Sequence, residues 1–273
     1  FKVSLPSQGV SSRSLTGAHR QVASHTEKMV TGKRINSASD DAANSVVVVN
    51  LSAQKSSSRM ALRNIADGMS IMRTVDEATG QVADKVKRMR ELAIQGSSEI
   101  LEFPERAYLQ SEMQSLQNEM NDVAANTNFN GLSLADGSQS TITLQMGSNN
   151  SVDDRLRMRL HELTVSAVFG GALVGVKSVA DSQNSINTID KGMDKLGSFR
   201  SGFGATQNVL SAATGQSERY AQNMGAAESR VQDADYAHQA AQLARAQMIL
   251  QASMSVRAQT KIEDQAVLSM IRG

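Results

Sequence analysis

His161 and Glu162 are adjacent, as the opening of the helical zinc-protease motif requires. That motif needs a second His at the fourth position on, and position 165 is Val, so zinc-assisted hydrolysis is excluded there. The other histidines, His19, His25 and His238, lack the clustered spacing of a metal site. Asp153-Asp154 and the pair Asp233 and Asp235 bring carboxylates together without the remaining oxygen ligands and Gly of a calcium loop. They read as turn and helix-capping residues. Gly170, Gly171 and Gly175 precede Lys177 at the wrong spacing for a phosphate-binding loop, and read as a flexible connection. The chain has no Cys, which removes thiol nucleophiles, thiolate metal ligands and disulfides together. No nucleophile, metal set or acid–base pair emerges, so the expectation is a protein that is not an enzyme and needs no cofactor.

One further group of residues could bind rather than react. Arg155, Arg157 and Arg159 alternate, and on a strand the alternation places three guanidiniums on one face. Such a face matches an acidic polysaccharide, whose repeating carboxylates fit arginine forks. A solvated surface strand is the simpler reading of the same pattern.

The elements that must position these residues are mostly helical. Aromatic residues make up 3% of the 273, Trp is absent, and the two prolines are Pro6 and Pro104. Such a chain builds narrow apolar seams rather than a broad aromatic core, and little in it forbids long helices. Lys plus Arg number 28 against 27 Asp plus Glu, so no global field draws the protein to nucleic acid or an anionic membrane. No apolar run is long enough to span a bilayer, which excludes membrane insertion by a helix, and the start lacks the layout of a cleavable signal peptide.

Between about residues 60 and 96, Ile65, Met72, Thr79, Val86 and Ala93 recur every seven residues, with Val75, Val82 and Met89 as companions. This is a coiled-coil seam flanked by Asp84, Lys85, Lys87, Arg88, Arg90 and Glu91. A second helix is expected over 105–125, opened by Pro104 and closed by the turn chemistry of Asn126 to Gly131. Thr141 to Met146 alternates polar with apolar, which predicts a small β element within 132–163. From residue 179 onward Ile189, Leu196, Phe203, Leu210, Met224 and Val231 form another seven-residue series, interrupted by Ser217.

Both ends are helical but underpowered. Leu15, Ala18, Val22, His25 and Met29 form a thin stripe in a polar segment. Leu243, Ile249, Leu250, Val256 and Leu268 are scattered round more than one face of the last helix. A helix apolar on several faces needs neighbours on several sides. Just after the first helix comes Gly32-Lys-Arg-Ile-Asn-Ser-Ala-Ser-Asp-Asp-Ala-Ala-Asn44. Here Asn36 and Ser37 can end one helix, and Ser39 or Asp40 can cap the next. Lys33 and Arg34 face Asp40 and Asp41 as charge pairs.

That stretch resembles the N-terminal signature of bacterial flagellins. The resemblance continues through Arg63-Asn-Ile-Ala-Asp-Gly-Met-Ser-Ile71, Arg90-Glu-Leu-Ala-Ile-Gln95, Glu105-Arg-Ala107 and Thr127-Asn-Phe-Asn-Gly131. It resumes at Gly202-Phe-Gly-Ala-Thr-Gln-Asn208, Ala227-Glu-Ser-Arg-Val-Gln-Asp-Ala-Asp-Tyr236, Arg245-Ala-Gln247 and Val267-Leu-Ser-Met-Ile-Arg272. The family's opening Asn-Thr-Asn is not found among Phe1 to Ser7.

The resemblance implies a mainly α fold: a long antiparallel coiled-coil rod with paired terminal helices and a small β-containing insertion. It implies three parts: a terminal layer of 1–41 with 230–273, a rod of 42–134 with 180–229, and a short variable region of 135–179. It implies a subunit exported unfolded that self-assembles into an extracellular filament for swimming. Assembly would involve Leu15, Val22, Met29, Arg34, Asn36, Asp40, Asp41, Leu243, Ile249, Leu250, Val256 and Leu268. Implied partners are other copies or other flagellins, the export machinery and chaperone, and the hook–filament junction and cap proteins. Arg88, Leu92 and Glu112 fall where many flagellins meet the vertebrate Toll-like receptor for flagellin. A junction protein, or a flagellin-like surface protein binding an acidic polysaccharide, are the alternatives.

Overall fold

The computed structural model describes residues 6–272, with side-chain environments for 13–262 and for 265 and 266. The fold is mainly α with a small β insertion. In chain order it comprises α1 (Pro6–Thr31), α2 (Ala42–Gly96), α3 (Phe103–Asn126), β1 (Asn128–Phe129), β2 (Leu132–Ser133), β3 (Thr141–Gln145), β4 (Arg155–Arg159), α4 (Val165–Phe169), α5 (Val179–Gln232) and α6 (Tyr236–Arg272). Two compact units result: Phe1–Gln54 with Gln222–Gly273, and Lys55–Ala221.

In the unit of Lys55–Ala221, the seven-residue series become the core. Ile65, Met72, Thr79, Val86 and Ala93 are fully buried, as are Val75, Val82 and Met89. They meet Met113, Met120 and Ala124 of α3 and Ile189 and Leu196 of α5 in one cluster, and Phe203, Leu210 and Met158 in another. Thr79, a polar residue in the seam, satisfies its hydroxyl by donating to Val75 O at 2.7 Å. Ion pairs show the directions: Asp76 with Arg200 and Arg90 with Asp190 follow an antiparallel order of α2 and α5. Lys85 with Glu119 and Arg88 with Glu112 do the same for α2 and α3.

Helix ends differ from the sequence expectations by local chemistry. α3 begins at Phe103, two residues before the expected start, because the Glu105 carboxylate accepts from the Glu102 N–H at 3.1 Å and closes the first turn. α2 extends back to Ala42 and is capped by Asp41 rather than by Ser39 or Asp40. The Asp41 Oδ1 accepts from Asn44 N at 3.0 Å. Between α2 and α3, the buried Arg106 guanidinium donates to three carbonyls, Gly96, Ser98 and Leu101. It satisfies backbone acceptors that a helix end would otherwise leave orphaned.

The expected turn at Asn126 to Gly131 forms a two-residue hairpin between β1 and β2. Asn130 and Gly131 both have positive φ, 50° and 78°, as the type I′ turn demands. β3 and β4 pair antiparallel with Thr141 opposite Arg159, Thr143 opposite Arg157 and Gln145 opposite Arg155. Their inner residues Ile142, Leu144, Leu156 and Met158 pack with α2 and α5. The close approach occurs at Gly68, where a Cβ would stand 2.6 Å from Leu144 Cδ2.

The Gly170 to Lys177 segment is not the flexible connection expected from its glycines. Gly170 ends the short α4 in the left-handed region at φ 67°. Beyond it the backbone is tied to neighbouring helices: Val176 N donates to Gln110 Oε1, Gln117 Nε2 donates to Val174 O, and Ser185 Oγ bonds Gly175.

Candidate assembly surface

In the unit formed by the two chain ends, α1 packs along α6. Ala18 and Ala246 are buried, while Leu15, Val22, Met29, Leu243 and Leu250 are half-buried at three- and four-residue spacing around them. His25 joins this seam as expected, with Nδ1 2.9 Å from Gln239 Oε1. The two helices run antiparallel, and the chain closes them at one end. Arg34 N donates to Gln232 O at 2.7 Å, Ala234 N to Gly32 O at 2.9 Å, and Lys33 forms an antiparallel bridge with Asp233.

The opening signature is therefore a clasp between the chain's two ends. Arg34 Nη2 donates to Val231 O at 2.8 Å, and its Nη1 stands 3.8 Å from Asp41. Asp40 folds the loop on itself by accepting from the N–H groups of Ser37 and Asn36, with Lys28 3.8 Å away. Those donors, Ser37 first, hold the Asp40 carboxyl below the usual carboxylate range. The Asn44 amide and N–H do the same for Asp41. Asn36 Oδ1 accepts from the Thr31 hydroxyl at 2.9 Å, joining the loop to the end of α1.

The residues expected to serve assembly are placed mainly in two groups. Leu15, Val22, Met29, Leu243 and Leu250 serve the contact between α1 and α6, and Arg34, Asn36, Asp40 and Asp41 serve the clasp. Ile249 and Val256 lie outside both, exposed on α6 together with Met248, Met254 and Ile262. The side chain of Leu268 lies outside the described residues. Sequence reading missed Met248, Met254 and Ile262; spacing against the seam positions 243, 246 and 250 puts Met248 and Ile262 away from α1, whereas Met254, four residues after Leu250, continues the seam side and is exposed there.

Arg88 and Glu112 are close partners on the surface, with Arg88 Nε and Nη2 each 2.8 Å from Glu112 Oε1. Arg88 also reaches Glu91 at 2.8 Å. Leu92, grouped with them as a receptor contact, is 1% exposed and part of the core. The reason is its place three residues after Met89, on the seam, so it offers no surface in this fold.

Arg155, Arg157 and Arg159 are exposed on one face of β4, and the inward residues between them are half-buried or buried. Arg155 donates to Gln145 Oε1 and Asn150 Oδ1. His161, just past β4, stacks on Phe199 of α5 and tilts against Phe203. Glu162 bonds the Thr164 hydroxyl, so the adjacent pair is structural. Among the described residues no group of His, Asp and Glu is arranged to hold a metal ion.

Long helices paired through narrow seams, exposed apolar residues on the last helix and a clasp joining the two ends are the features of a mainly helical structural protein. Two family profiles match the chain: the bacterial flagellin N-terminal helical region over residues 6–140 and the bacterial flagellin C-terminal helical region over 186–271. The chain is 33% identical over 247 residues to a flagellin of Halalkalibacterium halodurans, covering 90% of each. It is 29% identical over 276 residues to the flagellar filament 33 kDa core protein of Treponema phagedenis, covering 95% of this chain and 96% of the other. The crystal structure of Bacillus cereus flagellin superposes with a TM-score of 0.51 at 26% identity, covering 57% of this chain and 88% of that one. A putative flagellar hook-associated protein from Vibrio parahaemolyticus shares the fold, with a TM-score of 0.61 at 17% identity over 71% of this chain and 100% of that one. This chain belongs to the bacterial flagellin family, whose members are structural proteins rather than enzymes.

Proposed function

We propose that this chain is a structural subunit of a bacterial flagellar filament, exported unfolded and polymerising through its two terminal helices into an extracellular filament for swimming. The observation that carries the mechanism is the outer face of α6, where Met248, Ile249, Val256 and Ile262 stand exposed while the inner face meets α1. An isolated subunit gains nothing from that apolar stripe. A neighbouring copy removes it from water at about 25 cal/mol per Å². Relatives named as flagellins and flagellar filament core proteins support the same reading.

In this reading residues 1–41 with 230–273 form the inner layer, 42–134 with 180–229 a surrounding helical layer, and 135–179 a small variable region. The clasp joins the loop after α1 to the end of α5 through Arg34, while Asn36, Asp40 and Asp41 order that loop. The export machinery and its chaperone, and the junction and cap proteins, are the other partners in this reading. Arg88 and Glu112, and not the buried Leu92, form the surface open to a vertebrate Toll-like receptor. A hook–filament junction role is less well supported, because the similar hook-associated structure shares the fold at low identity.

The test compares the full chain with one lacking residues 1–41 and 230–273, by electron microscopy after seeding. Filaments from the full chain alone support the reading. Filaments from the shortened chain overturn it.

A further inference from the structure

We propose that the outer face of the hairpin formed by β3 and β4 binds a linear acidic polysaccharide, with Arg157 and Arg159 holding its anionic groups and Arg155 set at one end of the track. This goes beyond filament assembly and does not depend on it. The antiparallel register places Thr141, Thr143 and Gln145 directly beside Arg159, Arg157 and Arg155 on the same face. Three guanidiniums therefore follow one another at alternate residues, about 6–7 Å apart along the strand, with a hydroxyl or amide beside each. Ile142, Leu144, Leu156 and Met158 fix the opposite face to the helices, so the track rests on a packed support.

The arginines are available. Arg155 is oriented by Gln145 and Asn150, both neutral. Among the described residues Arg157 and Arg159 hold no ion pair. The nearby carboxylates lie beyond the strands. Asp154 is occupied in the turn by Asn149 N, and Glu162 by Thr164. This is a local concentration of positive charge on a chain whose formal net charge is only +1. Arg159 and Lys195 also bear on His161 as like charges, so the positive field extends past the end of β4.

The chemistry of the face selects among polyanions. It carries no aromatic side chain on which a nucleic-acid base could stack. It carries no apolar anchor of the kind that gives a protein partner its affinity. Guanidinium forks flanked by Thr hydroxyls suit a polymer that alternates carboxylate or sulfate groups with sugar hydroxyls.

The test uses the unassembled full chain, so that its failure is separate from any failure of polymerisation. Binding to immobilised polygalacturonate, dextran sulfate, neutral dextran and poly-glutamate is measured at about 0.1 M salt, where exposed charges are screened beyond about 10 Å. The variant R157Q/R159Q is compared with R59Q/R63Q, which removes two exposed arginines of α2 and has the same net charge. The expected result is binding to one or both acidic polysaccharides that falls about tenfold or more in R157Q/R159Q and is unchanged in R59Q/R63Q. Binding to polygalacturonate alone assigns carboxylates as the ligand groups, and to dextran sulfate alone assigns sulfates. Absence of binding to both overturns the proposal, as does equal loss in the two variants. Equally tight binding to poly-glutamate would make the surface a site for acidic protein and also overturn it.

Discussion

His161 lies flat on Phe199, with ring centroids 3.9 Å apart and planes within 4° of parallel. The stack joins the end of β4 to α5 at a point where Phe199 touches both apolar clusters. Burial first, then the like charges of Arg159 and Lys195, lowers the pKa of the imidazole from its ordinary value of 6.5. The remaining charged neighbour, Glu162, is turned to the Thr164 hydroxyl.

Stability should therefore depend on pH through this ring. The unfolded chain takes up the proton first as pH falls, so the contribution of neutral His161 is fully present above about pH 6.5 and is lost as pH falls toward the lower folded value. Thermal melts followed by circular dichroism should show His161→Phe losing less stability than the parent chain between about pH 7 and pH 5. Identical pH dependence in the two would remove His161 from this role.

Arg106 should be a stability residue although its charge is unpaired by any carboxylate among the described residues. Replacing it with Met strips the donors from Gly96, Ser98 and Leu101 carbonyls at the turn between α2 and α3. A cost of about 2–3 kcal/mol in denaturant unfolding is expected. Arg106→Lys should recover only part of it, because an ammonium cannot fork across three acceptors as a guanidinium does. Full stability in Arg106→Met would contradict this.

Gly68 and Gly80 lie in the same helix with opposite surroundings. A side chain at Gly68 enters the space of Leu144, whereas nothing lies within 4 Å of a Cβ at Gly80. Gly68→Ile should cost about 1–3 kcal/mol by overpacking and expose residues 135–163 to protease. Gly80→Ala should stabilise by about 0.5–1 kcal/mol through the helix backbone alone. Two substitutions of equal effect would refute the close approach of the hairpin.

The parts of the fold legible in the sequence are those encoded by local period. The seven-residue series of α2 and the first four members of the α5 series are buried in the order they were read, because a narrow seam repeats itself in the chain. The Met224 and Val231 positions of the same series are only half-buried, in the unit of the chain ends. The first five or so turns of α2, before residue 60, carry no seven-residue series, because Val46, Val47, Val48 and Val49 have no helical period; of these only Val48 is buried. α4 is five residues long, too short to carry a period at all. Choosing Asp41 over Asp40 as the cap depends on backbone direction, which composition does not contain. The outer stripe of α6 was legible as an excess of apolar residues, but its division from the inner seam required knowing where α1 lies.

The central claim is that this exposed stripe drives association between copies. The most direct measurement is electron microscopy and sedimentation of the full chain beside Ile249→Asn/Val256→Asn, two changes on the outer face of α6 that leave the inner seam of Leu243, Ala246 and Leu250 intact. The account predicts helical filaments from the parent chain, and from the double variant a monomer of unchanged helix content that does not polymerise. Normal filaments from the double variant would contradict it.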